Sequence, residues 1–176
     1  MRQRSHRADL LDIRGAPTAA HAVEAERYAR EAEEHRAASQ ALREAEAAAC
    51  VGIDPSDRDA SPFVHVEDIE SVRSLVETRV AGRSQIEEET GAVVRFRAVS
   101  GLTSEWLQRV VDCHLARSAA LGHDVAGMPN CPLVPKGATA VVSSTGNGFA
   151  VAIRGDDEEA IDEIILRASR LIGSGP

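Results

Sequence analysis

Across 176 residues the chain carries 28 acidic against 20 basic side chains, a formal net charge of −8. That balance argues against a dedicated nucleic-acid surface, which draws on clustered Lys and Arg to meet phosphates. No window approaches the ~18 apolar residues a bilayer-crossing helix needs. Aromatic residues make up only 3% of the chain, so Val, Ile and Leu must build the core. Most of them lie in the last ~110 residues, enough for one modest domain.

Residues 1–17 open with the basic run MRQRSHR, lack periodicity and end in GAPT. They read as a disordered tail. A charged start and an Ala20–Ala22 spot resemble parts of a secretory signal, but no apolar segment lies between them, so the N-terminus taken literally points to the cytoplasm. From 18 to 50 the chain holds no Gly or Pro and is rich in Ala, Glu and Arg, which predicts one long helix capped by Thr18. Its apolar stripe is thin (Val23, Tyr28, Leu42), suiting shallow packing, a stalk, or self-association as an Ala-rich coiled coil.

VGIDPSDRDASPF and the two residues after it, 51–65, read as a linker. Asp57 and Asp59 invite a calcium-loop reading. It fails because the sixth position is Pro62, not glycine, and the twelfth is Asp68, not glutamate. An α+β domain is expected over 66–174. Residues 64–80 fit a strand or a short helix equally well. GAVVRFRAV, 91–99, alternates as a half-buried strand. A helix capped by Thr103 follows from Leu102 to about Leu121. A hairpin over 139–155 turns at Gly146-Asn147-Gly148, residues suited to positive φ. The last helix carries the stripe Ile161, Ile164, Ile165, Ala168 and Leu171, with Asp156 and Glu159 as a capping pair. The order β-α-β-β-α implies a small antiparallel sheet with two helices on one face, half-ferredoxin-like.

Chemically versatile side chains crowd into DCHLARSAALGHDVAGMPNCPLVPKG, 112–137. On a helical wheel measured from Trp106, His114 falls at about 80°, inside the apolar arc, and Cys113 at about −20°, at its edge. Neighbours so divergent do not chelate one ion, and His114 reads as a neutral core histidine with hydrogen-bonded nitrogens. Prolines 129, 132 and 135 stiffen the loop that bears Cys131. Held against the helix edge, Cys131 is expected to pair with Cys113, closing a loop worth roughly 3 kcal/mol in the chain-entropy model. Cys50 is then the odd thiol, although it is also able to pair with either of the others and tie the long helix to the domain. The alternatives are buried inert thiols and a soft-metal set of Cys113, Met128 and Cys131 with His123 nearby, whose thiolates and thioether favour Cu(I), making copper the candidate cofactor. Its spacing matches no zinc pattern. Glu31 and His35 share a helical face but suit an exposed ion pair better than a metal site. No phosphate-binding loop, dinucleotide fingerprint, zincin helix or nucleophile elbow occurs, and no catalytic residue is assigned.

AAACVGIDPSDRDASPFVHVEDI, followed by GLTSEWLQRVVDCHLARSAALGHDVAGMPNCPLVPKGAT, resembles a family of small uncharacterised bacterial proteins. Its members are often exported or lipoprotein-like and carry a Cys-His…Met-x-x-Cys-Pro segment. The resemblance implies an oxidising periplasmic or envelope compartment, favours the staple, and adds no catalytic residue. The leading expectation is therefore a non-enzymatic envelope-type protein working through contacts with a protein partner or a second copy. A Cu(I)-type binding or trafficking domain is the alternative.

Overall fold

The computed structural model describes residues 19–125 and 127–173. The expected tail over 1–17 and the Thr18 cap lie outside the described residues. The Ala/Glu/Arg run forms α1 (Ala19–Ala49), and every side chain from 21 to 45 on it is exposed. The chain divides into two compact units between Ala38 and Ser39. The described part of the first unit is a run of α1 laced with surface ion pairs, Arg27–Glu31 and Arg36–Glu33. Glu31 thus pairs with Arg27.

The second unit starts with the last turns of α1 and continues through α2 (Pro55–Asp59) and a 3-10 turn over Val66–Asp68. Then follow β1 (Ile69–Ala81), β2 (Ser84–Arg97), α3 (Ser104–Ala120), β3 (Thr139–Thr145), β4 (Gly148–Arg154) and α4 (Glu158–Gly173). The four strands form one antiparallel sheet in the order β1-β2-β4-β3. The fold is α+β as expected, with one strand more than the β-α-β-β-α frame. Residues 69–81 are a strand, and β2 begins at Ser84, well before residue 91. The cause is visible in the burial. Beyond Leu75 the β1–β2 hairpin is a ribbon whose residues 76–81 and 84–89 are exposed on both faces. Without a covered face there is no apolar alternation to read.

Where the sheet is covered, alternation is clean. Val94 and Phe96 are buried while Arg95 and Arg97 are exposed. In register, Val94 stands beside Val151 and Phe96 beside Phe149, so one face collects Ala92, Val94, Phe96, Phe149, Val151 and Ile153. Leu107 and Val111 of α3 and Ile164, Ala168 and Leu171 of α4 close over that face. The loop 128–134 adds Met128, Cys131, Leu133 and Val134. Residues 51–65 are no free linker, because Ile53 and Phe63 are buried and the Phe63 ring stacks on Phe96 with centroids 5.8 Å apart. Burying one such ring contributes about 1.5–3 kcal/mol toward the cost of ordering the segment. Among the described residues no helix is long and apolar enough to cross a membrane.

Helix ends follow local chemistry. Thr103 caps α3, its hydroxyl accepting from the Trp106 N–H at 3.2 Å. At α4 the cap is Asp157, whose carboxylate accepts from the Ala160 N–H at 2.8 Å, one residue later than the Asp156–Glu159 pair suggested. In the β3–β4 turn only Gly148 has positive φ (+159°), and a Cβ there would fall 2.0 Å from the Phe96 carbonyl oxygen.

The outer edge of β3 is uncharged and contains no proline, the kind of edge that recruits other strands. One side chain closes it. The Gln108 carboxamide on α3 accepts from the Val142 N–H at 2.7 Å and donates to the Ala140 carbonyl at 3.3 Å, as a neighbouring strand would. Gln108→Leu should therefore lower stability by about 1–3 kcal/mol in denaturant titration. It should also make the protein associate at high concentration by light scattering. An unchanged midpoint would show that the edge needs no cover.

Candidate functional site

The versatile residues are sorted by which side of α3 they occupy. Arg109, Cys113 and Arg117 recur every four residues and so share one stripe. That stripe grips the segment running from the end of α1 through α2. Cys113 is disulfide-bonded to Cys50, with Cα atoms 4.6 Å apart. Arg117 reaches Glu46 of α1 and Asp59 of α2, each at 2.9 Å. Arg109 donates to the Val51 carbonyl at 2.6 Å and lies over the Trp106 ring, 5.3 Å from its centroid. His114, buried, bonds through Nε2 to the Asp57 carbonyl at 3.0 Å. A carbonyl only accepts, so Nε2 carries the proton.

The expected Cys113–Cys131 staple is therefore wrong: the bridge is Cys50–Cys113, and Cys131 is a buried free thiol. Cys113 packs with Ile53 and Val110 on the side of α3 that faces the α1 end. Cys131 sits in the main core among Met128, Leu133 and Val134. The helix separates the two sulfurs. Burial pushes the Cys131 thiol up from its ordinary range, so it stays protonated. The edge position of Cys113 on the helical wheel is the available signal for a partner outside the main core, and it does not by itself choose Cys50.

The soft-metal set falls for the same reason. Cys113 has no thiolate to offer, Met128 and Cys131 are core side chains, and His123 is engaged elsewhere. Its Nδ1 donates to the Val134 carbonyl at 2.8 Å, beside the Ser118 hydroxyl that donates to the same oxygen at 3.1 Å. His123 also has positive φ (+62°), closing the α3 C-terminus. Among the described residues no group of three or more His, Cys, Asp or Glu side chains is arranged to hold a metal ion.

What the stripe does create is a groove. Holding the 50–68 segment against α3 leaves an open cleft of about 240 Å3 between them. Phe96, Val99, Leu102 and Trp106 supply its apolar wall, with Val64 on the opposite lip. Asp57, His65 and Asp68 border it, and no Lys or Arg lines it. Asp68 is held by Arg97 at 3.0 Å and His65 lies 3.3 Å from Glu67, whereas the Asp57 carboxylate has no partner among the described residues. The Ser61 hydroxyl accepts from the Phe63 N–H. These residues come from separate stretches of chain, and no spacing in the sequence joins them. Comparison of the chain with protein-family models, with curated proteins and with solved structures gave no match.

Two consequences are measurable. The Cys50–Cys113 bridge spans a separation of 63 residues. Replacing both cysteines by serine should cost about 4 kcal/mol in the chain-entropy model, whereas a loss below 1 kcal/mol would show the clamp holding without it. His114 has its proton affinity lowered by burial foremost and by the Arg117 charge, with the Asp57 hydrogen bond working against them. A base whose folded pKa lies below its unfolded value of about 6.5 contributes stability above that pH and loses it as pH falls. Wild type should therefore lose more stability between pH 7 and pH 5 than His114→Gln, read from denaturation midpoints. Equal losses would refute the assignment.

Proposed function

We propose that the protein is a non-enzymatic interaction protein of a bacterial cell envelope, and that the groove between α3 and the 50–68 segment is its contact surface. The observation that carries this reading is the disulfide beside the groove. A bridge on so small a domain suits an oxidising compartment, and here it fixes one wall of the cleft to the other. The family resemblance through the Cys-His…Met-x-x-Cys-Pro segment points to the same compartment. The ionisable groups nearby serve structure: His114 bonds a main-chain carbonyl, and Asp68 is paired.

The partner is a protein segment presenting an apolar side chain next to Lys or Arg. An apolar wall fits the first, and the Asp57 carboxylate on the rim, unpaired among the described residues, fits the second. This is favoured over self-association through α1, whose described face offers only three large apolar side chains, Val23, Tyr28 and Leu42, among alanines and charges.

A displayed random-peptide library selected on the folded protein tests the proposal, with Val99→Asp as the counter-target. Val99 is exposed at the groove wall, so the substitution leaves the core intact. Enriched peptides should set Leu, Ile or Phe beside Lys or Arg. They should also shift the fluorescence of Trp106, the chain's one tryptophan. Peptides that bind Val99→Asp equally well would refute the groove.

A further inference from the structure

The sheet face opposite α3 and α4 carries four arginines, and they are not treated alike. Arg97 is paired with Asp68 and bonds the Glu67 carbonyl. Arg154 reaches Glu77 at 2.7 Å, crossing β2 at Gly91. A Cβ at Gly91 would fall 1.9 Å from the Ile153 carbonyl oxygen, and its φ is +151°. Between these two satisfied pairs lie Arg73 and Arg95, exposed and without a hydrogen bond or ion pair among the described residues.

Their register brings them together. Ser71 pairs with Arg95, which pairs with Ala150, which pairs with Ser143. One step along, Arg73 pairs with Val93, Val93 with Ala152, and Ala152 with Val141. The two arginines are thus diagonal neighbours on adjacent strands, roughly 7 Å apart at the backbone, close enough for both forks to meet on one group. Ser71, Arg73, Ser74, Val93 and Arg95 line a shallow depression of about 130 Å3, and the floor beyond it is the small-residue patch Ala150 and Ala152.

We infer that Arg73 and Arg95 form a binding site for a phosphate monoester. Two guanidinium groups held side by side repel unless an anion lies between them. A phosphomonoester carries about −1.5 to −2 charges near pH 7 and matches both, where a single carboxylate would match one. The site lies on a different face from the groove and depends on none of its residues. The ester is either a free solute or the headgroup of an anionic lipid, and the chemistry at the arginines is the same.

The test uses the intact chain with its disulfide. Phenyl phosphate is titrated at constant ionic strength, with amide shifts of residues 71–74, 93–95 and 150–152 followed by NMR. Flotation with phosphatidylcholine vesicles containing phosphatidic acid forms the second arm. Arg73→Gln and Arg95→Gln should each weaken binding by about tenfold. Arg83→Gln, the same charge change in the β1–β2 turn, should leave it unaltered. Arginine-dependent binding in the first arm alone identifies a soluble ester, and in the second alone a lipid headgroup. No binding in either arm overturns the site, as does binding that survives both substitutions or falls equally in Arg83→Gln. An acidic peptide held more tightly than phenyl phosphate through the same arginines would overturn the phosphate assignment.

Discussion

The structure depends on one helical stripe. Arg109, Cys113 and Arg117, with His114 beside them, fasten α3 to the segment from Glu46 to Asp59. The contacts are of different kinds: a covalent bond, ion pairs, and hydrogen bonds to main-chain carbonyls. Each covers a weakness of the others. The ion pairs of Arg117 are only part-buried and would contribute little alone. The disulfide removes unfolded-state freedom but does not set the orientation of α2. His114 sets it, because a buried imidazole left without the Asp57 carbonyl would cost a full desolvation penalty.

That clamp also explains how a domain with so few aromatic side chains closes its core. The sheet offers one apolar face, and α3 and α4 cover only part of it. Phe63 and the proline-rich loop complete the cover, the loop through Met128, Cys131, Leu133 and Val134. Phe63 reaches the core only because the chain before it is tied down. The same tether leaves the groove open at the surface, so core completion and the groove have one cause. Gln108 extends the role of α3 further by closing the β3 edge. One helix therefore faces the sheet, seals its edge and carries the clamp.

Much of this was legible in the sequence where local physics dominates. The long helix followed from Ala, Glu and Arg without a breaker. Thr103 as a cap, the α4 stripe, the buried His114 and the alternation at Val94 and Phe96 follow from spacing alone. What escaped depends on distant parts of the chain. The outer β1–β2 ribbon has no buried face, so its strands show no period. The cysteine pairing turned on which side of α3 the α1 end packs, and loop stiffness near Cys131 suggested the wrong neighbour. Arg73 and Arg95 became a pair only through strand register, and Asp157 replaced Asp156 as a cap by a shift of one residue.

The clamp and the groove beside it lean on the covalent tie between the α1 end and α3. Peptide mapping of the non-reduced protein, alkylated under denaturing conditions, tests it most directly. The account predicts a single alkylated cysteine, Cys131, and one linked peptide pair containing Cys50 and Cys113. A linked pair containing Cys131, or label on all three cysteines in protein isolated without reductant, would contradict it.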